Sequence, residues 1–229
     1  MSETEESRNI LITGATGGLG HALALECARR GARVILLDRK AKPLEAVCDE
    51  VEALGAPAPG YVDLDLAQAG PEAIEELVSG LVDAYGGLDG LVHCAVRFDG
   101  LRPVDQIAPQ DWILDLQVNL NAPWLLTTRC LPTLRERHGR IVFFTDREAR
   151  GKAYWGSYGA SKGALESLAG SLAEELEGSG CEVVVLDPGA MRTELRSAAY
   201  LGEDPSTVPP ASEAAAPIAD RILQPPTDD

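Results

Sequence analysis

One segment constrains this chain more than any other: Asn9–Thr13, NILIT, runs directly into Gly14-Ala15-Thr16-Gly17-Gly18-Leu19-Gly20. The apolar run reads as a buried strand, and helical spacing follows from Gly18 to Arg30, ended by Gly31. Glycine lets a backbone turn tightly and lets a phosphate approach with no Cβ in the way. The helix start behind it offers free N–H groups and the positive end of its dipole to an anion. A glycine-rich turn alone can be merely structural. Here a strand precedes it, a helix follows, and an acidic residue closes the next apolar run.

That acidic residue is Asp38, eighteen positions after Gly20. A carboxylate there can accept both hydroxyls of an adenosine ribose and would repel a 2′-phosphate, which argues for NAD over NADP. The neighbouring Arg39 could bind that phosphate or stack on adenine, and it leaves NADP open.

The rest of the chain repeats the alternation. Arg33–Leu37, Tyr61–Leu64, Gly90–Ala95, Arg140–Thr145 and Glu182–Leu186 read as strands. Between them lie amphipathic stretches: Leu44 to Leu54, a helix opened by Pro71, a long stretch from Gln110 to Arg137, and Ser157 to Glu177. Pro123 and Pro132 are expected to kink or break the long one. A short helix is expected at Ala211–Leu223. This alternation predicts an α/β fold: a doubly wound, Rossmann-like parallel sheet of about six strands with helices on both faces. No linker divides it, so residues 8–223 form one domain, with residues 1–7 and 224–229 as flexible tails.

Composition narrows the function. A net charge of −16 disfavours nucleic acid as a partner. No apolar run is long enough to span a membrane, and the polar start lacks the features of a signal peptide, so a cytoplasmic protein is expected. Five scattered cysteines and the three histidines, His21, His93 and His138, show no disulfide framework and no metal-ligand spacing.

Tyr158 and Lys162 stand four apart on one helical face. A free tyrosine holds its proton too tightly for exchange near neutral pH, and a nearby cation relieves this. Such a pair can carry a proton to or from a carbonyl or alcohol, although the same spacing also occurs in ordinary surface pairs.

Taken together, the Thr13–Gly20 turn, Asp65 in DLDL, Asn119 in QVNLN, Tyr158-x-x-x-Lys162, and Pro188-Gly189 with Thr193 resemble the short-chain dehydrogenase/reductase superfamily, in its compact single-domain branch. The resemblance extends over about residues 8–200. It implies Tyr158 as the catalytic acid–base, with Lys162 lowering its pKa and binding the nicotinamide ribose. Asn119 would hold a helix bend and a proton-relay water. Thr145, thirteen positions before Tyr158, would take the place of the family's serine. Gly14, Thr16, Gly18, Leu19 and Gly20 would hold the pyrophosphate. Asp38 and Arg39 would face the ribose, and Asp65 and Leu66 the adenine. Ala95, Lys162, Pro188, Gly189 and Thr193 would border the nicotinamide.

The chain departs from the family's pattern in places. Asp146 follows Thr145 and brings a negative charge; His93-Cys94-Ala95-Val96 replaces Asn-Asn-Ala-Gly; and no seventh strand follows the last helix. Hydride transfer between a nicotinamide dinucleotide and a small alcohol or carbonyl substrate is the leading expectation. A cofactor-binding scaffold or redox-responsive regulator without turnover is the alternative. A homodimer through the helices around 110–137 and 157–177 is expected.

Overall fold

The computed structural model describes residues 7–224. The expected tails therefore lie almost wholly outside the described residues. Six strands form one parallel sheet: β1 (Asn9–Thr13), β2 (Arg33–Asp38), β3 (Gly60–Asp63), β4 (Gly90–His93), β5 (Arg140–Phe144) and β6 (Glu182–Leu186). Their order is β3-β2-β1-β4-β5-β6. The winding reverses between β1 and β4, so the crevice at their carboxyl ends is where such a sheet takes a ligand.

Alternation along the strands builds two apolar layers. Leu11, Leu91, Ile141 and Phe143 face α3 (Pro71–Tyr85), α5 (Ala122–Glu136) and α6 (Gly156–Glu175). Ile10, Ile12, Val92, Val142 and Phe144 face α1 (Gly18–Arg29), α2 (Ala41–Ala53) and α8 (Ala211–Leu223). Both faces are covered, which is why the strands read as continuous apolar runs. Among the described residues, no helix is long and apolar enough to cross a membrane.

Two expectations change. The long stretch after β4 breaks at neither proline: α4 (Pro109–Leu116) passes into α5 through a π turn at Gln117–Asn121. Pro123 falls just behind that wider turn, in the first turn of α5, and Pro132 lies inside α5. The loop after β6 also holds a short helix, α7 (Glu194–Ala199), whose start is capped by Thr193 Oγ1 accepting from the Arg196 N–H at 3.2 Å.

Candidate active site

The glycine turn lies against the end of β4. Gly14 has φ +64°, and a Cβ there would stand 2.7 Å from the Ala95 backbone. A Cβ on Gly20 would stand 2.2 Å from the Gly14 carbonyl oxygen. Ala95 is tied to the same strand end by its N–H, which donates to Thr13 Oγ1 at 3.1 Å. No side chain caps α1, so the N–H groups at Gly18, Leu19 and Gly20 face the crevice without a side-chain acceptor. A cradle that side chains would fill, below an uncapped helix start, fits a dinucleotide diphosphate.

Asp38 has a second task at this turn. Its Oδ2 accepts from the Thr16 hydroxyl at 2.7 Å and the Thr16 N–H at 3.1 Å, and Oδ1 accepts from the Arg39 N–H at 2.8 Å. Asp65 holds its own turn beyond β3, accepting from the Ala67 N–H at 3.0 Å and Gln68 Nε2 at 3.3 Å. Leu66 beside it is buried, and its carbonyl accepts from Gln117 Nε2 at 3.3 Å.

Across the crevice, α6 carries Tyr158 and Lys162 on one face. Lys162 Nζ lies 5.7 Å from the Tyr158 ring centroid and donates to the Phe144 carbonyl at 2.8 Å. Burial lowers the Lys162 pKa to about 8, partly opposed by the charges of Asp146 and Asp187. Tyr158 is 5% exposed. Burial first, then the Asp146 carboxylate, hold its pKa well above that of free tyrosine.

Asp146 reaches the tyrosine. Asp146 Oδ2 accepts from the Tyr158 hydroxyl at 3.2 Å, and its Oδ1 accepts from the Ala149 N–H at 3.1 Å. Thr145 continues the β5–β6 pairing through its N–H to the Leu186 carbonyl. The residue is 4% exposed, and Oγ1 has no hydrogen-bond partner among the described residues.

Asn119 sits in the π turn and treats Arg97 as a strand partner would. Its Oδ1 accepts from the Arg97 N–H at 2.7 Å, and Nδ2 donates to the Arg97 carbonyl at 2.9 Å and to Ser161 Oγ at 3.2 Å. The segment after β4 is thereby clamped to α6. The Arg97 guanidinium extends the clamp to Asp111 at 3.0 Å and to Asp115, which also accepts from Ser157 Oγ. Nothing local in the sequence marks Arg97, Asp115 and Ser157 as partners. Phe98 follows Arg97; its ring stacks on Trp155 at 5.3 Å and meets the Tyr158 edge at 5.2 Å. A small, open cleft lies beside these three rings.

His93 turns away from the crevice. Its ring stacks on Phe143 at 4.9 Å, and Nε2 pairs with Thr127 Oγ1 at 2.9 Å. Burial lowers its pKa to about 3, so it is neutral at ordinary pH. Pro188 and Gly189 follow β6, where the Gly189 N–H donates to Asp187 Oδ1 at 3.1 Å. Thr193 reaches the glycine turn: a Cβ on Gly18 would stand 2.7 Å from its Cγ2.

A family model described as short chain dehydrogenase matches residues 8–204. The chain is 36% identical over 200 residues to the uncharacterized oxidoreductase YciK of Escherichia coli, covering 86% of this chain and 79% of that protein. It is 34% identical over 189 residues to a serine 3-dehydrogenase of Rhizobium radiobacter, covering 82% of this chain and 74% of that one. A solved short chain dehydrogenase of Shigella flexneri, complexed with NADP, matches with TM-score 0.87 at 35% identity, covering 90% of this chain and 87% of that chain.

Proposed function

Because the chain belongs to the short-chain dehydrogenase family of oxidoreductases, we propose that it interconverts a small alcohol and its carbonyl compound, with Tyr158 as the proton carrier. The observation that carries this reading is the Tyr158–Lys162 pair on α6, buried across the crevice from the glycine turn. A nicotinamide dinucleotide, when bound, supplies or takes the hydride.

The residues divide the remaining work. Gly14, Thr16, Gly18, Leu19 and Gly20 hold the diphosphate, with Asp38 and Arg39 at the adenosine ribose and Asp65 and Leu66 beside the adenine. Ala95, Pro188, Gly189 and Thr193 border the nicotinamide. Lys162 binds its ribose and offers Tyr158 a positive charge, and Asn119 keeps the π turn and α6 in register. Thr145 offers its buried hydroxyl to the substrate oxygen, and Asp146 stands beside it in the chain and meets Tyr158.

NAD is the favoured cofactor. The Shigella flexneri relative is complexed with NADP. In favour of NAD here, the Asp38 carboxylate, bonded to Thr16, would repel a 2′-phosphate at the adenosine ribose. A homodimer through the helices around 110–137 and 157–177 is supported by Ile113 and Trp124, which are 64% and 50% exposed. Five unpaired cysteines support a reducing compartment, the cytoplasm.

Calorimetric titration with NADH and NADPH, followed by an alcohol and ketone panel on the protein and its Tyr158→Phe variant, tests the reading. NADH binding with turnover that falls about 10²–10⁴-fold in the variant supports it. A substrate whose rate ignores Tyr158→Phe overturns it.

A further inference from the structure

We propose that Asp146 selects substrates carrying an ammonium group on the carbon next to the reacting carbonyl, that is, α-amino ketones and the vicinal amino alcohols they form. This rests on the oxidoreductase reading above and names its substrate class.

The starting point is a carboxylate in contact with the one hydroxyl the reaction needs. Asp146 Oδ2 lies 3.2 Å from the Tyr158 oxygen, and its other hydrogen bond comes from the Ala149 N–H. Among the described residues it forms no ion pair, whereas Asp99, Asp111 and Asp115 around the neighbouring cleft are all paired with Arg97. Lys162 is committed to the Phe144 carbonyl. The half-buried Asp146 thus has no ion-pair partner among the described residues, and the Lys162 charge acts on it only through space.

A substrate oxygen must come within hydrogen-bond distance of Tyr158 to take its proton. Whatever is attached next to that oxygen then meets Asp146. For a neutral ketone this is unfavourable. The carboxylate repels the developing alkoxide and competes for the Tyr158 proton, and loss of that proton would leave a phenolate against a carboxylate. For an α-amino ketone the same geometry is complementary. In a gauche arrangement the oxygen and nitrogen of a vicinal amino alcohol stand about one hydrogen-bond length apart. That spacing matches the separation of the Tyr158 and Asp146 oxygens. The ammonium would neutralise Asp146, free the tyrosine hydroxyl and offset the charge left on the phenolate. The rings of Phe98 and Trp155 pack on Tyr158 and fix the hydroxyl that Asp146 meets. The net charge of −16 also draws cations toward the molecule.

The chemistry balances with the family's own reductant. The carbonyl carbon gains a hydride from the reduced dinucleotide, which is oxidised. The carbonyl π bond breaks as its oxygen takes the Tyr158 proton, and Tyr158 is reprotonated from solvent. The ammonium is unchanged.

Isopropanolamine and its uncharged isostere sec-butanol, titrated into the protein saturated with NADH, read binding without turnover. The amine is expected to bind roughly 10- to 100-fold tighter. Asp146→Asn keeps an acceptor for the Ala149 N–H and should erase that preference. Reduction of aminoacetone against butanone with NADH should show a similar preference in kcat/KM, and Asp146→Ser should shift it toward butanone. If sec-butanol binds as well as the amine, or if the amine preference survives Asp146→Asn, the proposal is overturned while the oxidoreductase reading stands. If the protein binds no dinucleotide, both fall.

Discussion

The carboxylate of Asp38 and the hydroxyl of Thr16 lie 2.7 Å apart, so the residue expected to sort cofactors also pins the glycine turn. The two tasks can be separated. Asp38→Asn removes the charge and keeps an acceptor for Thr16. It should tighten NADPH binding with little loss of NADH. Asp38→Ala removes both and should weaken NADH as well. Calorimetry on the two variants checks this; NADPH binding tighter than NADH in the unmodified protein would count against the assignment.

The Thr145 hydroxyl is buried with no hydrogen-bond partner among the described residues, which carries a desolvation cost and leaves it free for a substrate oxygen. Thr145→Val keeps the shape and removes the hydroxyl. Turnover should fall with the loss of a polarising hydroxyl, while stability should hold or rise by about 1 kcal/mol in urea unfolding. An unchanged kcat would remove Thr145 from the reaction.

Lys162 predicts a pH signature. Burial lowers its pKa to about 8, against 10.5 for a free lysine. Below about pH 8 both folded and unfolded chains carry the proton, and the folded chain bears the cost of a buried ammonium. Between about 8 and 10.5 the unfolded chain binds more protons, so this residue's contribution to stability rises with pH across that window. Lys162→Met should flatten the rise in urea midpoints. Dinucleotide affinity should move the other way, weakening above about pH 8 as the ammonium is lost.

Two glycines of the turn should respond differently. At Gly14 a side chain meets backbone and must adopt φ +64°, so Gly14→Ala should cost stability, about 1–3 kcal/mol. At Gly18 it meets the methyl of Thr193, a side chain able to move. Gly18→Ala should therefore stay folded and lose dinucleotide affinity. Thermal unfolding beside cofactor titration separates the two; equal melting temperatures would refute the distinction.

What the sequence determined by itself was local. Apolar runs and glycine stops set the six strands, because burial on both faces demands continuous apolar residues. The Gly14–Gly20 turn was legible because strand, turn and helix are contiguous. Tyr158 and Lys162 were legible because four residues span one helical turn. What tertiary structure alone decided lies where separate elements meet. Asp146 meets Tyr158 because the chain beyond β5 passes beside α6. Asp38 binds Thr16 because β2 lies beside β1. Asn119, Arg97, Asp115 and Ser157 form one clamp because the segment after β4, the π turn and α6 converge on it. Hydrogen bonds and ion pairs act over a few ångströms of space, and separation along the chain does not report that distance.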